Sequence, residues 1–259
     1  MAEVKLIATD YDDTLVGKSG SMVKSVKFQE LLSKLRWSSE TKWAIVTGRH
    51  LAALSSPLKQ LSYRGLRPDY IIVSESYIYR LSSFGYLPVL KWNLSIWNHR
   101  RKIRKQIRKY LKSWVDEVSV RWPSSHQQSS GYAHLWYTFE NEEIASEVAV
   151  YLEEQIKDIP KLLLFKNNHE IYMGVDFCCK GMALSKLCQI EKIELGQTFA
   201  IGDGQNDISM LDGSSAQLVA CVGNACKAAR ETVENSGGYV AKEDHILGVV
   251  EAIEYFLEL

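Results

Sequence analysis

Val4-Lys5-Leu6-Ile7-Ala8-Thr9-Asp10-Tyr11-Asp12-Asp13-Thr14 joins a short apolar run to an acidic cluster. A strand buried on both faces reads as a continuous apolar run, and its polar stop marks the carboxyl end. The same pattern recurs downstream. Trp43 to Val46 stops at Thr47-Gly48-Arg49, Tyr70 to Val73 is a third such run, and Thr198 to Ile201 stops at Gly202-Asp203-Gly204. A helical stretch at Val23 to Leu35 separates the first two runs, and another precedes Tyr70. Strands alternating with helices predict right-handed crossovers and a parallel sheet, an α/β fold. Ala216 to Val222 and Tyr239-Val240 read as further strands, Met182 to Cys188 as a helix, and Ile246 to Leu257 as a closing helix.

The middle of the chain has another character. Asn98 is read as the N-cap of a long helix with an apolar stripe of Ile103, Ile107, Leu111 and Trp114 or Val115. Val118 to Trp122 and Ala133 to Phe139 are read as strands. Asn141 before Glu142-Glu143 predicts a capped helix striped by Ile144, Val148, Tyr151, Leu152 and Ile156. Leu162 to Phe165 and Glu170 to Met173 read as a hairpin turning at Lys166-Asn167-Asn168-His169. The expected organisation is a core of residues 1–80 and 177–259, with an inserted α+β domain at 81–176.

Composition limits the function classes. Lysine plus arginine number 31, and so do aspartate plus glutamate, so bulk charge gives no reason to expect nucleic acid or an anionic membrane as partner. The basic run His99-Arg100-Arg101-Lys102, with Arg104, Lys105, Arg108, Lys109 and Lys112, lies off the apolar stripe and reads as a solvated helix face. The five cysteines are odd in number and lack a C-x-x-C pair, which fits a reduced setting. No charged-then-apolar leader and no bilayer-length apolar run is present, so a cytoplasmic location is expected.

In open parallel sheets ligands bind at the carboxyl ends of the strands. Asp10 and Asp12, Thr47, and Asp203 with Asn206 and Asp207 should therefore converge. Five carboxylates at close range, counting Asp13, call for a hard divalent cation with oxygen ligands, and Mg²⁺ fits. Phosphoryl transfer needs a nucleophile, an adjacent acid–base and positive charge on the phosphate oxygens. Asp10 is the candidate nucleophile, Asp12 the acid–base, Thr47 a hydrogen-bond donor and Lys180 the phosphate-neutralising cation.

Asp10-Tyr11-Asp12-Asp13-Thr14, Thr47-Gly48-Arg49, Lys180-Gly181 and Gly202-Asp203-Gly204-Gln205-Asn206-Asp207 resemble, in order and spacing, the four motifs of the haloacid-dehalogenase-like (HAD) superfamily. The insert resembles the C2B cap of its Cof-type subfamily IIB. Pro68-Asp69-Tyr70-Ile71-Ile72-Val73-Ser74 with Ile78-Tyr79 is most similar to the sucrose-phosphate-phosphatase branch. The resemblance implies a Rossmann-like core with helices on both faces of a parallel sheet, and a phosphatase acting on a sugar phosphate. It implies that the metal is held by the Asp10 carboxylate, the Asp12 carbonyl and Asp203, with Asp207 behind them or reaching the metal through water. Asn206 would contact phosphate, and Tyr11, Gly48 and Arg49 would line the phosphate side. Lys166, Asn168 and Glu170 would contact the sugar. Tyr172 stands where that segment usually has a second acid, Val175 where it has proline, and Asp13 where many relatives have glycine.

A small phosphorylated substrate is the expected partner, with no nucleic acid or membrane, for a monomer or small homo-oligomer. Two alternatives stay open on the sequence: a sugar phosphomutase with the same nucleophile, and a non-catalytic polyanion-binding protein using the basic helix.

Overall fold

A computed structural model describes residues 3–17, 26–128, 135–167, 169–176 and 178–257. The elements run β1 (Leu6–Thr9), α1 (Val26–Ser39), β2 (Lys42–Val46), α2 (Ser55–Tyr63), β3 (Tyr70–Val73), β4 (Tyr77–Ser82) and β5 (Gly85–Pro88). Then come α3 (Leu90–Arg121), β6 (His126–Gln127), β7 (Leu135–Thr138), α4 (Glu142–Ile156), β8 (Leu162–Asn167) and β9 (Glu170–Val175). The chain finishes with α5 (Lys180–Glu191), β10 (Thr198–Gly202), α6 (Ile208–Leu211), β11 (Leu218–Cys221), α7 (Lys227–Asn235), β12 (Tyr239–Val240) and α8 (His245–Leu257).

Two compact units result: Met1–Leu90 with Cys179–Leu259, and Lys91–Cys178. The first holds an eight-stranded sheet ordered β12-β11-β10-β1-β2-β3-β4-β5. Its first six strands are parallel, and β4 and β5 continue the sheet antiparallel. That antiparallel pair carries the first unit past residue 80, where the sequence suggested a boundary. The half-buried alternation of β4 does not look like the neighbouring parallel strands, and so it was not legible as their continuation.

Strand order reverses between β1 and β10, because β2 and β3 lie to one side of β1 and β10 to β12 to the other. Such a switch point opens a crevice at the carboxyl ends of the two strands. Alternate strand residues (Ile7, Ile45, Ile71, Ile201) join Phe28 and Leu32 of α1, Leu61 of α2 and Val249 and Ile253 of α8 in one core. On the other face, α5 and α6 pack on each other and reach β3, β4, β10 and β11. The Glu191 carboxylate at the end of α5 accepts hydrogen bonds from Lys42 and Tyr70, which ties the helix to β2 and β3.

The second unit has an antiparallel sheet ordered β6-β7-β9-β8, with α4 packed on β8 and β9. The Asn141 side chain caps α4, accepting from the Ile144 N–H at 2.9 Å. The Tyr151 hydroxyl of α4 donates to Glu117 of α3 at 2.5 Å. Asn98 is not a cap: it lies exposed inside α3, which begins eight residues earlier, after Pro88. The buried spacing Trp92, Ile96, Ile103, Ile107 explains why the helix starts there. Val118 to Trp122 is no strand either, because Val118 continues that buried stripe to the end of α3. Among the described residues, no helix is long and apolar enough to cross a membrane.

Candidate active site

The site is built at the carboxyl ends of β1 and β10. The Asp10 N–H donates to Ile201 O at 2.9 Å, which continues the β1–β10 ladder one residue past the strand. Carboxylate oxygens of Asp10, Asp203 and Asp207 lie within 4.8 Å of one another. Between them sits Lys180, the first residue of α5, with no solvent exposure. Its ammonium donates to Asp10 Oδ1 at 2.5 Å and also to Asp207 Oδ1.

The loop after β10 arranges the other two acids. Asp207 Oδ2 accepts the N–H groups of Asp203 and Gly204 at 2.9 and 2.8 Å. Both Asp207 oxygens are thus engaged within the protein. Asp203 Oδ1 accepts the Thr14 hydroxyl at 2.6 Å. The donor set is hard oxygen, as Mg²⁺ requires, and Asp10 and Asp203 each keep one oxygen outside these bonds. The residues present therefore fit the ion: Asp10 and Asp203 would be its side-chain ligands, with Asp207 behind them.

Burial first, and then crowded negative charge, set the electrostatics. Burial, then Asp207, push the Asp203 carboxyl up to about 7, against the pull of the Thr14 hydroxyl. Asp10 is likewise raised, first by burial, although Lys180 opposes the rise. Burial acts to discharge Lys180, but Asp10, Asp207 and Glu75 outweigh it and hold the ammonium above its ordinary range. A measurable pH effect follows from Asp203. Its folded value lies above the ordinary carboxylate value of about 4, so its stability contribution is complete below about pH 4 and is lost as pH rises through about 7. With chelator present, the unfolding midpoint should fall from pH 5 to pH 8, and Asp203→Asn should flatten that fall. Parallel profiles for the two proteins would contradict it.

Lys180 is held in place by a close approach. A Cβ on Gly181 would sit 1.7 Å from the Ser209 carbonyl oxygen, so α5 meets the start of α6 nearly backbone to backbone. The Gly181 N–H also donates to Ser209 Oγ at 3.1 Å. Gly181→Ala is expected to destabilise the protein by about 1–3 kcal/mol, as overpacking does, and to displace Lys180. Thermal unfolding reads this out. Unchanged behaviour would mean that α5 can move freely.

The other expected residues divide into two groups. Arg49 grips Asp12 with two hydrogen bonds, Nε to Oδ2 at 2.8 Å and a terminal nitrogen to Oδ1 at 2.5 Å. The same guanidinium stands 5.2 Å from the Tyr11 ring centre. Tyr11 is buried in the hydrophobic core, so its ring supports Arg49 instead of lining an open pocket. Thr47 is buried at the end of β2, and its hydroxyl accepts the Arg49 N–H at 3.1 Å, while Gly48 is half-buried beside it. The Asp13 carbonyl accepts from Asn224 and from the His245 ring at 2.7 and 2.9 Å, a structural use of that residue.

Lys166 and Glu170 belong to the second unit, and Asn168 lies outside the described residues. Lys166 pairs across the sheet with Ile171, whereas Glu170 pairs with Thr138 and Asn167. Successive strand residues face opposite ways, so Lys166 and Glu170 lie on opposite faces of the sheet. Lys166 instead bonds Glu142 at the start of α4 at 2.9 Å. The Glu170 face carries a cross-strand aromatic row of Trp136, Tyr172 and Phe165, the last two stacked at 4.9 Å. Thr14 and Glu75 were missed in the sequence as site residues. Glu75 follows the buried run Tyr70 to Val73, the same strand-end signal that singled out Asp10 and Asp203.

The pattern of the sucrose-6F-phosphate phosphohydrolase family matches residues 3–257. A phosphoglycolate phosphatase from Methanobrevibacter smithii is 30% identical over 109 residues, 41% of this chain and 44% of that protein. One from Methanosarcina acetivorans is 33% identical over 29% of this chain and 31% of its own length, so the chain spans under half the length of these curated relatives. Among solved structures, the sucrose-phosphatase of Synechocystis sp. PCC6803, in complex with sucrose and phosphate, superposes with a TM-score of 0.70 at 22% identity. That match covers 99% of this chain and 98% of the other. A HAD subclass IIB sugar phosphatase gives 0.66 at 17% identity over 99% and 100% of the two chains. At these identities the likeness is one of fold.

Proposed function

Because the chain belongs to the sucrose-6F-phosphate phosphohydrolase family, we propose that it is a Mg²⁺-dependent phosphatase hydrolysing a small sugar phosphate through a phosphoaspartyl intermediate on Asp10. The observation that carries this reading is the buried Asp10–Lys180–Asp207 cluster beside Asp203 at the switch point.

An Asp10 oxygen attacks phosphorus, and the bond from phosphorus to the sugar oxygen breaks. Asp12 gives that oxygen a proton, then takes one from the water that cleaves the aspartyl phosphate, releasing inorganic phosphate and restoring Asp10. Arg49 aligns the Asp12 carboxylate and must loosen its grip as the proton moves. Lys180 and the Thr47 hydroxyl stabilise charge on the transferring group. Bound Mg²⁺ supplies further neutralisation of phosphate charge. Asn206 binds a phosphate oxygen.

We assign substrate specificity to the second unit. Supporting this is its Glu170 face, where an acid shares one side of the sheet with the aromatic row of Trp136, Tyr172 and Phe165. No disulfide joins the five cysteines among the described residues.

The test is phosphate release, with and without Mg²⁺, from sucrose phosphate, other sugar phosphates, phosphorylated sugar acids, phosphoglycolate and nucleotides. A sugar monophosphate should give the highest kcat/KM. Absence of Mg²⁺-dependent release from every compound would end the proposal.

A further inference from the structure

Glu75 occupies an unusual piece of backbone. β3 turns into β4 with positive φ at two successive residues, 48° at Ser74 and 63° at Glu75, and the Ser76 N–H closes the turn on Val73 O at 3.1 Å. Tight hairpin turns with two positive φ values are served by glycine and asparagine. A glutamate there is strained, and such strain persists where the surroundings hold it at a functional site. Here the turn is laced to the loop after β2: Ser74 N–H donates to Arg49 O at 2.8 Å and Glu75 N–H to Thr47 O at 3.0 Å.

The Glu75 side chain is 5% exposed, although the position lies at a loop tip. It accepts a hydrogen bond from Asn206 Nδ2 at 3.2 Å. From the other side, a Cβ on Gly204 would lie 2.6 Å from Asn206 Oδ1, so glycine there leaves room for the carboxamide. Asn206 is thus held at its Nδ2 end by Glu75, and Nδ2 carries a second hydrogen that can reach another acceptor. Glu75 is also one of the three carboxylates that keep Lys180 charged.

We propose that Glu75 is a positioning residue of the phosphate site, held in a strained turn so that it can orient the Asn206 carboxamide toward a phosphate oxygen. Its effect on turnover rests on the phosphatase reading above; its effect on Asn206 does not.

The experiment compares Glu75→Gly with Glu75→Gln. Glycine relieves the positive φ and removes the acceptor, whereas glutamine keeps an acceptor oxygen. Glu75→Gly should keep or raise the unfolding temperature yet raise KM for para-nitrophenyl phosphate about tenfold, as loss of one charge-assisted contact does. kcat should stay within about threefold, and Glu75→Gln should restore KM to within about threefold of the original. The Asn206 side-chain amide NMR resonance, assigned by its loss in Asn206→Ala, should move in Glu75→Gly and hold in Glu75→Gln. An unchanged KM and resonance in Glu75→Gly would overturn the proposal, as would a fall in stability with KM unchanged. If the parent chain releases no phosphate, the phosphatase reading fails, and the resonance alone decides whether Glu75 positions Asn206.

Discussion

Asp10→Asn should reduce phosphate release by at least about 10⁴-fold, the scale on which removing a covalent nucleophile acts, and leave the fold intact. An amide cannot form the acyl phosphate, so no neighbouring group substitutes for it. Stability should move the other way. Asp10 is 5% exposed and its charge is opposed by burial and by Asp207 and Asp203. The asparagine oxygen can still accept from Lys180 while that repulsion disappears. The unfolding temperature should therefore hold or rise. Steady-state phosphate release with saturating Mg²⁺, beside a thermal melt, separates the two effects. Hydrolysis at an appreciable fraction of the original rate would remove Asp10 from the mechanism.

Lys180→Met should damage both function and fold. The ammonium has no solvent exposure and is bonded to Asp10 and Asp207. Removing it leaves two buried carboxylates without their cation, and breaking a buried pair in this way costs about 3–5 kcal/mol. For a chain of this length that corresponds to a fall in Tm of roughly 6–20 °C. Added Mg²⁺ should recover part of the loss, because it would bring positive charge to Asp10, one of the two carboxylates, but activity should stay low without the Lys180 donor. A melt in chelator and in excess Mg²⁺ reads both. An unchanged Tm in chelator would show that the two acids are already neutral in the folded chain.

The two substitutions differ because one removes a charge the interior opposes and the other removes the charge that compensates it. That asymmetry was not visible in the motifs, where Asp10, Lys180 and Asp207 are far apart along the chain. The strand ends were visible. Each buried parallel strand reads as an apolar run, and the polar residue that stops it is local information, which placed Asp10, Thr47 and Asp203 at one edge of the sheet. The capped start of α4 was legible for the same reason, since Asn141 acts on a backbone N–H three residues away. The start of α3 was misjudged because Asn98 looks like a cap in isolation, whereas burial of Trp92 and Ile96 decides where the helix begins.

By itself, then, the sequence determined the alternation of strands and helices, the acids at the strand ends and the order of the four motifs. Each of these is written in neighbouring residues. Tertiary structure alone decided how each acid is bonded. Asp207 accepts from Lys180 and two backbone N–H groups, while Asp10 accepts from Lys180 and Asp203 from Thr14, each through one oxygen. Strand register alone put Lys166 and Glu170 on opposite faces of their sheet. Packing alone buried Glu75 against Asn206, 131 positions along the chain. The physical reason is common to all three: a side chain's role depends on which distant groups desolvate it and share its hydrogen bonds, and only the folded chain brings those groups within reach.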